Sequence, residues 1–239
     1  MSGHLIQWAA LLLCVLGALM RLPGVRRGRG RMIFAALMLL AVAVALSLPP
    51  IYLPVDGVLG GWNAANLVIR LSLYAVVVLL GLRMAAAFDA GRVRALIVGP
   101  VGISVLLFTV AATLVLFALS EVSESSTGLA RYHGQPTVER YADIGRLYPG
   151  YVSACLVWPA AAGSLRSGSR PAHRLACSLL AAGFFLVAGF AVLELFHGLD
   201  LGIFELVLPF GAILLVVSGL TLIWFSRRRG VPRQRNPLA

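Results

Sequence analysis

The sequence predicts an all-α membrane protein, a seven-transmembrane-helix bundle with its N-terminus outside and its C-terminus in the cytoplasm. Three observations support this fold class. Hydrophobic residues make up 60% of the 239 residues and charged residues only 12%, with a mean hydropathy of +0.92, whereas a soluble domain has about 25% charged residues. The apolar residues form runs close to the roughly 20 residues that a spanning helix needs. Arginine supplies all the side-chain positive charge and is concentrated in alternate connections.

Seven apolar segments give the predicted spans 1 to 7. The first lacks a basic segment before it and has arginines after it, so we expect an uncleaved helix that enters from outside, and no signal peptide. Prolines inside spans 4, 5 and 7 (Pro100, Pro159 and Pro209) are expected to kink those helices. The spans lie at about 5–20, 32–48, 62–82, 95–119, 147–165, 175–196 and 201–225, within a transmembrane domain over 1–226 that precedes a basic cytoplasmic tail over 227–239.

The distribution of arginine predicts the orientation. The first, third and fifth connections and the tail hold five, three, three and five arginines, whereas the second and sixth connections hold none. The fourth and longest connection holds three, which four acidic residues outnumber. Arginine accumulates in short cytoplasmic loops, so the odd-numbered connections are expected in the cytoplasm of a multi-pass cell-membrane protein. Charge placed at helix ends argues for a lipid bilayer as the partner, and against nucleic acid.

Two connections carry further expectations. The second, over 51–61, is predicted as a loop with a single acid, Asp56, and the third as a loop with Arg83, Arg92 and Arg94. In the fourth, the segment 136–146 (PTVERYADIGR) has the pattern of a short amphipathic helix that leads into span 5. It either lies on the membrane surface or closes over a ligand as a lid.

Span 3 carries four polar side chains on one face. Asn63, Asn66, Arg70 and Tyr74 follow the spacing i, i+3, i+7 and i+11, which aligns them along a helix. Arg70 is expected about 12 Å below the outer boundary. An ionisable residue at such a depth usually faces the bundle interior and indicates a functional site.

Further polar and aromatic groups on spans 5, 6 and 7 are expected at the same end: Tyr148, Tyr151, Trp158, Glu194, His197 and Glu205. Together with the face of span 3 they form a candidate ligand-binding site, an outward-facing pocket for a small polar or anionic ligand. The alternative is an interhelical ion pair between Arg70 and Glu205 or Glu194 that fixes the packing.

Several functions lack the residues they require. Without lysine no retinal Schiff base can form, and no GxSxG sequence or paired carboxylates indicate an enzyme. The histidines come from separate segments, so neither a metal nor a cofactor is predicted. We therefore predict a non-enzymatic, receptor-like or small-ligand-binding protein. The alternatives are an accessory or structural subunit of a larger membrane complex and, because acids are missing from the inner half of the spans, less readily a transporter.

The segment from Asp56 through Phe196 resembles the membrane half of an actinobacterial family of seven-helix integral membrane proteins described as transporters. The resemblance rests on VDGVLGGWNAANL before span 3, ERYADIGRLYPGY before span 5 and RLACSLLAAGFFLVAGF in span 6. Members commonly carry a C-terminal cytoplasmic domain, which we expect to be absent here because the chain ends soon after span 7. The resemblance then implies a need for a protein partner in the membrane or on its cytoplasmic face.

Overall fold

A computed structural model describes residues 2–132, 134–166, 169–195 and 202–229, and every regular element within them is helical. One short 3-10 helix, Thr127–Tyr132, lies between α7 and α8. The α-helices are α1 (Ser2–Leu19), α2 (Leu22–Arg26), α3 (Arg31–Leu46), α4 (Pro49–Val58), α5 (Ala64–Ala87), α6 (Gly91–Val98), α7 (Pro100–Leu119), α8 (Pro136–Leu165), α9 (Pro171–Leu193) and α10 (Phe204–Arg229).

Five helical segments of the described chain are long and apolar enough to cross a bilayer: His4–Arg26, Ala64–Ala87, Gly91–Leu119, Pro171–Leu193 and Phe204–Ser226. A sixth candidate is a bent pair, Arg31–Ala45 with Pro49–Val58, whose two parts meet at 95°. The chain is therefore a multi-pass membrane protein, with five or six spans identified by length and composition.

The second connection differs from its prediction as a loop, because most of it forms α4. Prolines 49 and 50 end α3, as expected, but they also occupy the first turn of a new helix after an extended Leu48. Proline suits this position because a first-turn N–H has no partner within the helix. The change of direction at Leu48 sets α4 at a steep angle to α3.

The third connection is also more helical than predicted. Span 3 continues to Ala87 and includes Arg83, while Arg92 and Arg94 lie in α6. The expected kink at Pro100 is present as a break, because the extended Gly99 ends α6 and Pro100 begins α7.

The amphipathic segment over 136–146 is helical, as predicted, and it is continuous with span 5. Both belong to α8, a helix of 30 residues that runs through Pro149 and Pro159. Its first part places Tyr141, Gly145 and Arg146 against α5 and α9.

Six helices form a closed ring around the core, in the order α1, α3, α5, α8, α9 and α10, and α7 packs on the outside of α8. Small residues bring the helices together: a Cβ on Gly183 would lie 2.6 Å from Val216 and 3.1 Å from the carbonyl oxygen of Ala212. Such close approach is typical of helix packing in membranes. The ring places the polar face of α5 next to α8.

Candidate functional site

The start of α5 is held by a buried carboxylate that the sequence analysis treated only as a loop acid. Asp56, which is 0% exposed, accepts hydrogen bonds from the backbone N–H groups of Asn63 (2.9 Å) and Ala65 (3.0 Å). It also accepts one from the hydroxyl of Ser125 at 2.5 Å. The first N–H groups of a helix have no partner within it, and the helix dipole favours a negative charge there. Asp56 therefore supplies the cap of α5 from outside the helix.

Asn63 completes this arrangement and does not line a pocket. Its backbone is left-handed (φ 62°), and its side-chain oxygen accepts hydrogen bonds from the Tyr52 hydroxyl (3.0 Å) and the Ser126 N–H (2.7 Å). Its amide donates to the carbonyl oxygen of Glu124 at 2.7 Å. We call Tyr52, Asp56, Asn63, Ser125 and Ser126 the capping cluster. It joins α4, α5 and the segment after α7.

About one and two helical turns beyond Asn63, Asn66 and Arg70 meet α8. The Tyr141 hydroxyl donates to the side-chain oxygen of Asn66 at 2.9 Å. Burial raises the pKa of Tyr141 to about 12, against the opposing effect of Arg70, so the phenol keeps the proton that it donates. The Arg70 guanidinium lies over the Tyr141 ring, 5.3 Å from its centroid.

Gly145 makes room for this guanidinium. A Cβ at Gly145 would lie 2.6 Å from Nη1 and 2.7 Å from Cζ of Arg70. The glycine thus forms a slot in α8 that receives the planar group, while Tyr141 covers one of its faces. Asn66, Arg70, Tyr141 and Gly145 form what we call the Arg70 site.

The acidic partner predicted for Arg70 is found elsewhere. Glu194 lies 3.1 Å from Arg146, which also contacts Asp143 at 3.3 Å. No carboxylate of the described chain is within 4.0 Å of the Arg70 guanidinium. Burial is the main cause that lowers the pKa of Arg146, and the positive charge of Arg70 lowers it further. The negative charges of Glu194, Asp143 and Glu205 oppose this shift. Arg70 and Arg146 are therefore electrostatic neighbours, and the acids compensate Arg146.

The predicted tyrosines lie mainly in the core. Tyr74 shares a hydrogen bond of 2.8 Å with Thr113, and its ring meets that of Tyr148 edge to face at 6.4 Å. Tyr148 is fully buried. The Tyr151 hydroxyl donates to the carbonyl oxygen of Leu96 at 2.7 Å, which links α8 to α6. These contacts position helices; Tyr74 and Tyr148 are buried by them, whereas Tyr151 is half-buried.

Two further predicted residues, Trp158 and Glu205, lie at exposed positions. The Trp158 side chain is 77% exposed on the surface of α8. It lies nearly five turns from Tyr141 along the same helix. Glu205 is exposed near the start of α10, and His197 falls outside the described residues.

The described residues contain no group of three or more His, Cys, Asp or Glu side chains that could hold a metal. A cavity at the opposite, arginine-rich end of the bundle is lined by other residues, and none of the nine predicted site residues that the structure describes contributes to it. The Arg70 site is instead a closely packed group with one guanidinium held in place.

No family model, curated protein or solved structure matches this chain. The resemblance to the actinobacterial seven-helix family therefore stays a prediction from its motifs.

Proposed function

We propose that this chain is a non-enzymatic, receptor-like protein of the cell membrane that binds a small anionic ligand at an outward-facing site around Arg70. We further propose seven spans, with the N-terminus outside and the C-terminus in the cytoplasm. The distribution of arginine supports this orientation. The second part of α8 supports the seventh span, because Tyr148, Val152, Leu156 and Ala160 pack into the core between the spanning helices α5 and α9.

The observation that carries the ligand proposal is the state of Arg70. Its guanidinium is half-buried, no described carboxylate neutralises it, and the cationic Arg146 is close by. A charge removed from water is costly unless it is paired. Tyr141 compensates it only in part, since a cation–π contact contributes about 0.5–2 kcal/mol. An anion at this place would supply the missing negative charge.

The geometry also suits recognition of a carboxylate or a phosphate. Arginine presents five N–H donors in a planar fork that matches such groups. At the Arg70 site the slot at Gly145 and the ring of Tyr141 hold this fork before any ligand arrives. A donor that is already oriented loses less conformational entropy on binding.

Thermal unfolding of the purified protein in detergent tests this proposal. We expect a panel of small carboxylates and phosphates to include at least one that raises the unfolding temperature. A ligand present at 100 times its Kd stabilises by about 2.7 kcal/mol. The increase should be lost in Arg70→Gln, which removes the charge, and weakened in Arg70→Lys, which keeps the charge but lacks the fork.

The matched control is Arg140→Gln, at an exposed position of α8, the helix that contributes Tyr141 and Gly145 to the Arg70 site. It removes one positive charge at the same end of the bundle without touching the Arg70 site. Equal loss of the ligand effect in Arg70→Gln and Arg140→Gln would indicate general charge attraction and contradict the proposed site. The same holds if every anion in the panel leaves wild-type stability unchanged.

Cysteine labelling tests the seventh span. Glu139→Cys and Arg170→Cys place thiols on exposed positions at the two ends of α8 and its connection to α9. A membrane-impermeant maleimide should label position 139 in intact cells and position 170 only after permeabilisation. Labelling of both positions from the same side would contradict the crossing.

A second candidate function is that of an accessory or structural subunit. It is favoured by the hydrogen bonds that Asn63, Asn66 and Tyr74 make within the protein, because satisfied polar groups are typical of packing contacts. Under this function we expect the protein to purify from its membrane with stoichiometric protein partners. Arg70→Gln should then leave ligand binding unaffected, because no ligand is bound.

A further inference from the structure

The arginine-rich end of the bundle contains a cavity of about 760 Å³. It lies where α2 and the segment after it meet α3, α5, α9 and α10. Among the residues that the structure describes, its lining includes four arginines and a histidine and no acidic side chain: Arg21, Arg27, Arg29, Arg83 and His173. Its volume is within the range of about 300–1,000 Å³ that small-molecule sites occupy.

We propose that this cavity binds the phosphate group of an anionic membrane phospholipid. The arginines bind the headgroup, and the apolar walls contact the acyl chains. This site is separate from the Arg70 site at the other end of the bundle, and neither proposal depends on the other.

The four arginines have different roles. Arg21 is 5% exposed and donates to the carbonyl oxygens of Gly17 (2.7 Å) and Leu220 (2.9 Å), so it joins α1 to α10 and forms part of the cavity floor. The side chains of Arg27, Arg29 and Arg83 make no hydrogen bond or ion pair with the part of the chain that is described. Their donors remain available to a phosphate, which arginine binds through charge-assisted pairs of hydrogen bonds.

The backbone fixes two of these arginines at the cavity. After α2, the N–H of Gly28 bonds to the carbonyl oxygen of Val25 (2.9 Å), and that of Arg29 bonds to Gly24 (2.8 Å). This is the Schellman pattern that ends helices, with a left-handed glycine, here Gly28 at φ 77°. Gly30 is also left-handed, at φ 74°. The turn therefore presents Arg27 and Arg29 together at one side of the cavity.

The remaining walls are apolar, and they favour a lipid over a free phosphate ion. Ile33, Phe88, Leu220 and Ile223 line the cavity beside the arginines. An inorganic phosphate would engage the guanidinium groups and leave these surfaces uncovered. An amphiphile covers both, because its acyl chains bury the apolar walls.

The proposed orientation of the chain also favours an anionic lipid as the ligand. Arginine-rich ends face the cytoplasm, where the leaflet carries anionic lipids and basic pockets between helices bind their headgroups. Orientation in the membrane accounts for an excess of arginine at this end. It does not require three arginines without a partner among the described residues to converge on one cavity with an apolar wall.

Native mass spectrometry of the full chain in detergent tests the proposal with two defined lipids, phosphatidylglycerol and phosphatidylcholine. We expect retained phosphatidylglycerol on wild type and much less phosphatidylcholine. The double variant R27Q/R29Q should weaken phosphatidylglycerol binding about 10- to 30-fold, because each arginine near an anionic lipid contributes about a factor of five. Both side chains are exposed and lack described contacts, so the variant should fold; Arg83→Gln provides an independent second variant.

The control is R92Q/R94Q, which removes the same charge from exposed positions of α6 at the same end of the bundle. It should retain phosphatidylglycerol as wild type does. Equal losses in both double variants, or equal retention of the two lipids by wild type, would overturn the site. A third arm adds inorganic phosphate at millimolar concentration. Complete displacement of phosphatidylglycerol by phosphate would overturn the lipid assignment and leave a site for soluble phosphates.

Discussion

Replacing Asp56 by alanine should be among the most destabilising single changes at this end of the bundle. The buried carboxylate accepts from two backbone N–H groups and one hydroxyl. A buried donor that loses its partner costs about 1–3 kcal/mol. At about 2 kcal/mol for each N–H, and with Ser125 free to rotate toward water, Asp56→Ala should cost about 4 kcal/mol.

Thermal unfolding in detergent, followed by tryptophan fluorescence, measures this cost. For a chain of 150–250 residues, 1 kcal/mol corresponds to about 2–4 °C, so the expected decrease in Tm is about 8–16 °C. Asp56→Asn keeps one acceptor oxygen and should fall between wild type and Asp56→Ala. Glu121→Ala is the control, since this exposed side chain lies on the segment after α7 that also carries Ser125, and it should change stability by no more than about 0.5 kcal/mol. An Asp56→Ala protein that unfolds within 2 °C of Glu121→Ala (roughly the range allowed to a surface substitution) would refute the capping role.

Three further changes probe the packing around the site, each by thermal unfolding in detergent. Gly145→Ala places a methyl group against the Arg70 guanidinium in its slot and should lower stability by about 1–3 kcal/mol. The control is Gly211→Ala on α10, where the added methyl group meets nothing within 4 Å and should be neutral or stabilising. Similar losses of stability in both variants would contradict the slot. A double-mutant cycle on Arg146→Ala and Glu194→Ala should give a coupling energy of about 0.5–3 kcal/mol, and additive losses would show that the ion pair contributes nothing. Trp158→Leu should change stability by no more than about 0.5 kcal/mol because the side chain is 77% exposed, and a large loss would show that it packs against other residues.

The positions of most long helices follow directly from the sequence, because apolar length is nearly the only requirement for a span. The predicted amphipathic helix before span 5 is likewise confirmed. The connections were less predictable. α4 was missed because Pro49 and Pro50 satisfy both the end of one helix and the beginning of another, and only the extended conformation of Leu48 decides between a loop and a new helix.

For the candidate site, helical spacing placed Asn66, Arg70 and Tyr74 on one face of α5, and the structure shows all three directed toward neighbouring helices. The partners could not be predicted, since spacing within one helix says nothing about which residue of another helix lies opposite. Tyr141 and Gly145 were missed for this reason. The role of Asp56 could have been predicted, because an isolated acid in a neutral connection just before a helix is consistent with a helix cap.

We propose that Arg70 holds an anion on the outer side of the membrane. Native mass spectrometry of the protein extracted mildly from its own membrane is the decisive experiment. We predict a reproducible small anionic adduct that Arg70→Gln loses and Arg140→Gln retains. A protein that carries no such adduct, or that carries one unaffected by Arg70→Gln, would contradict the claim; stoichiometric protein partners in its place would favour the accessory-subunit function.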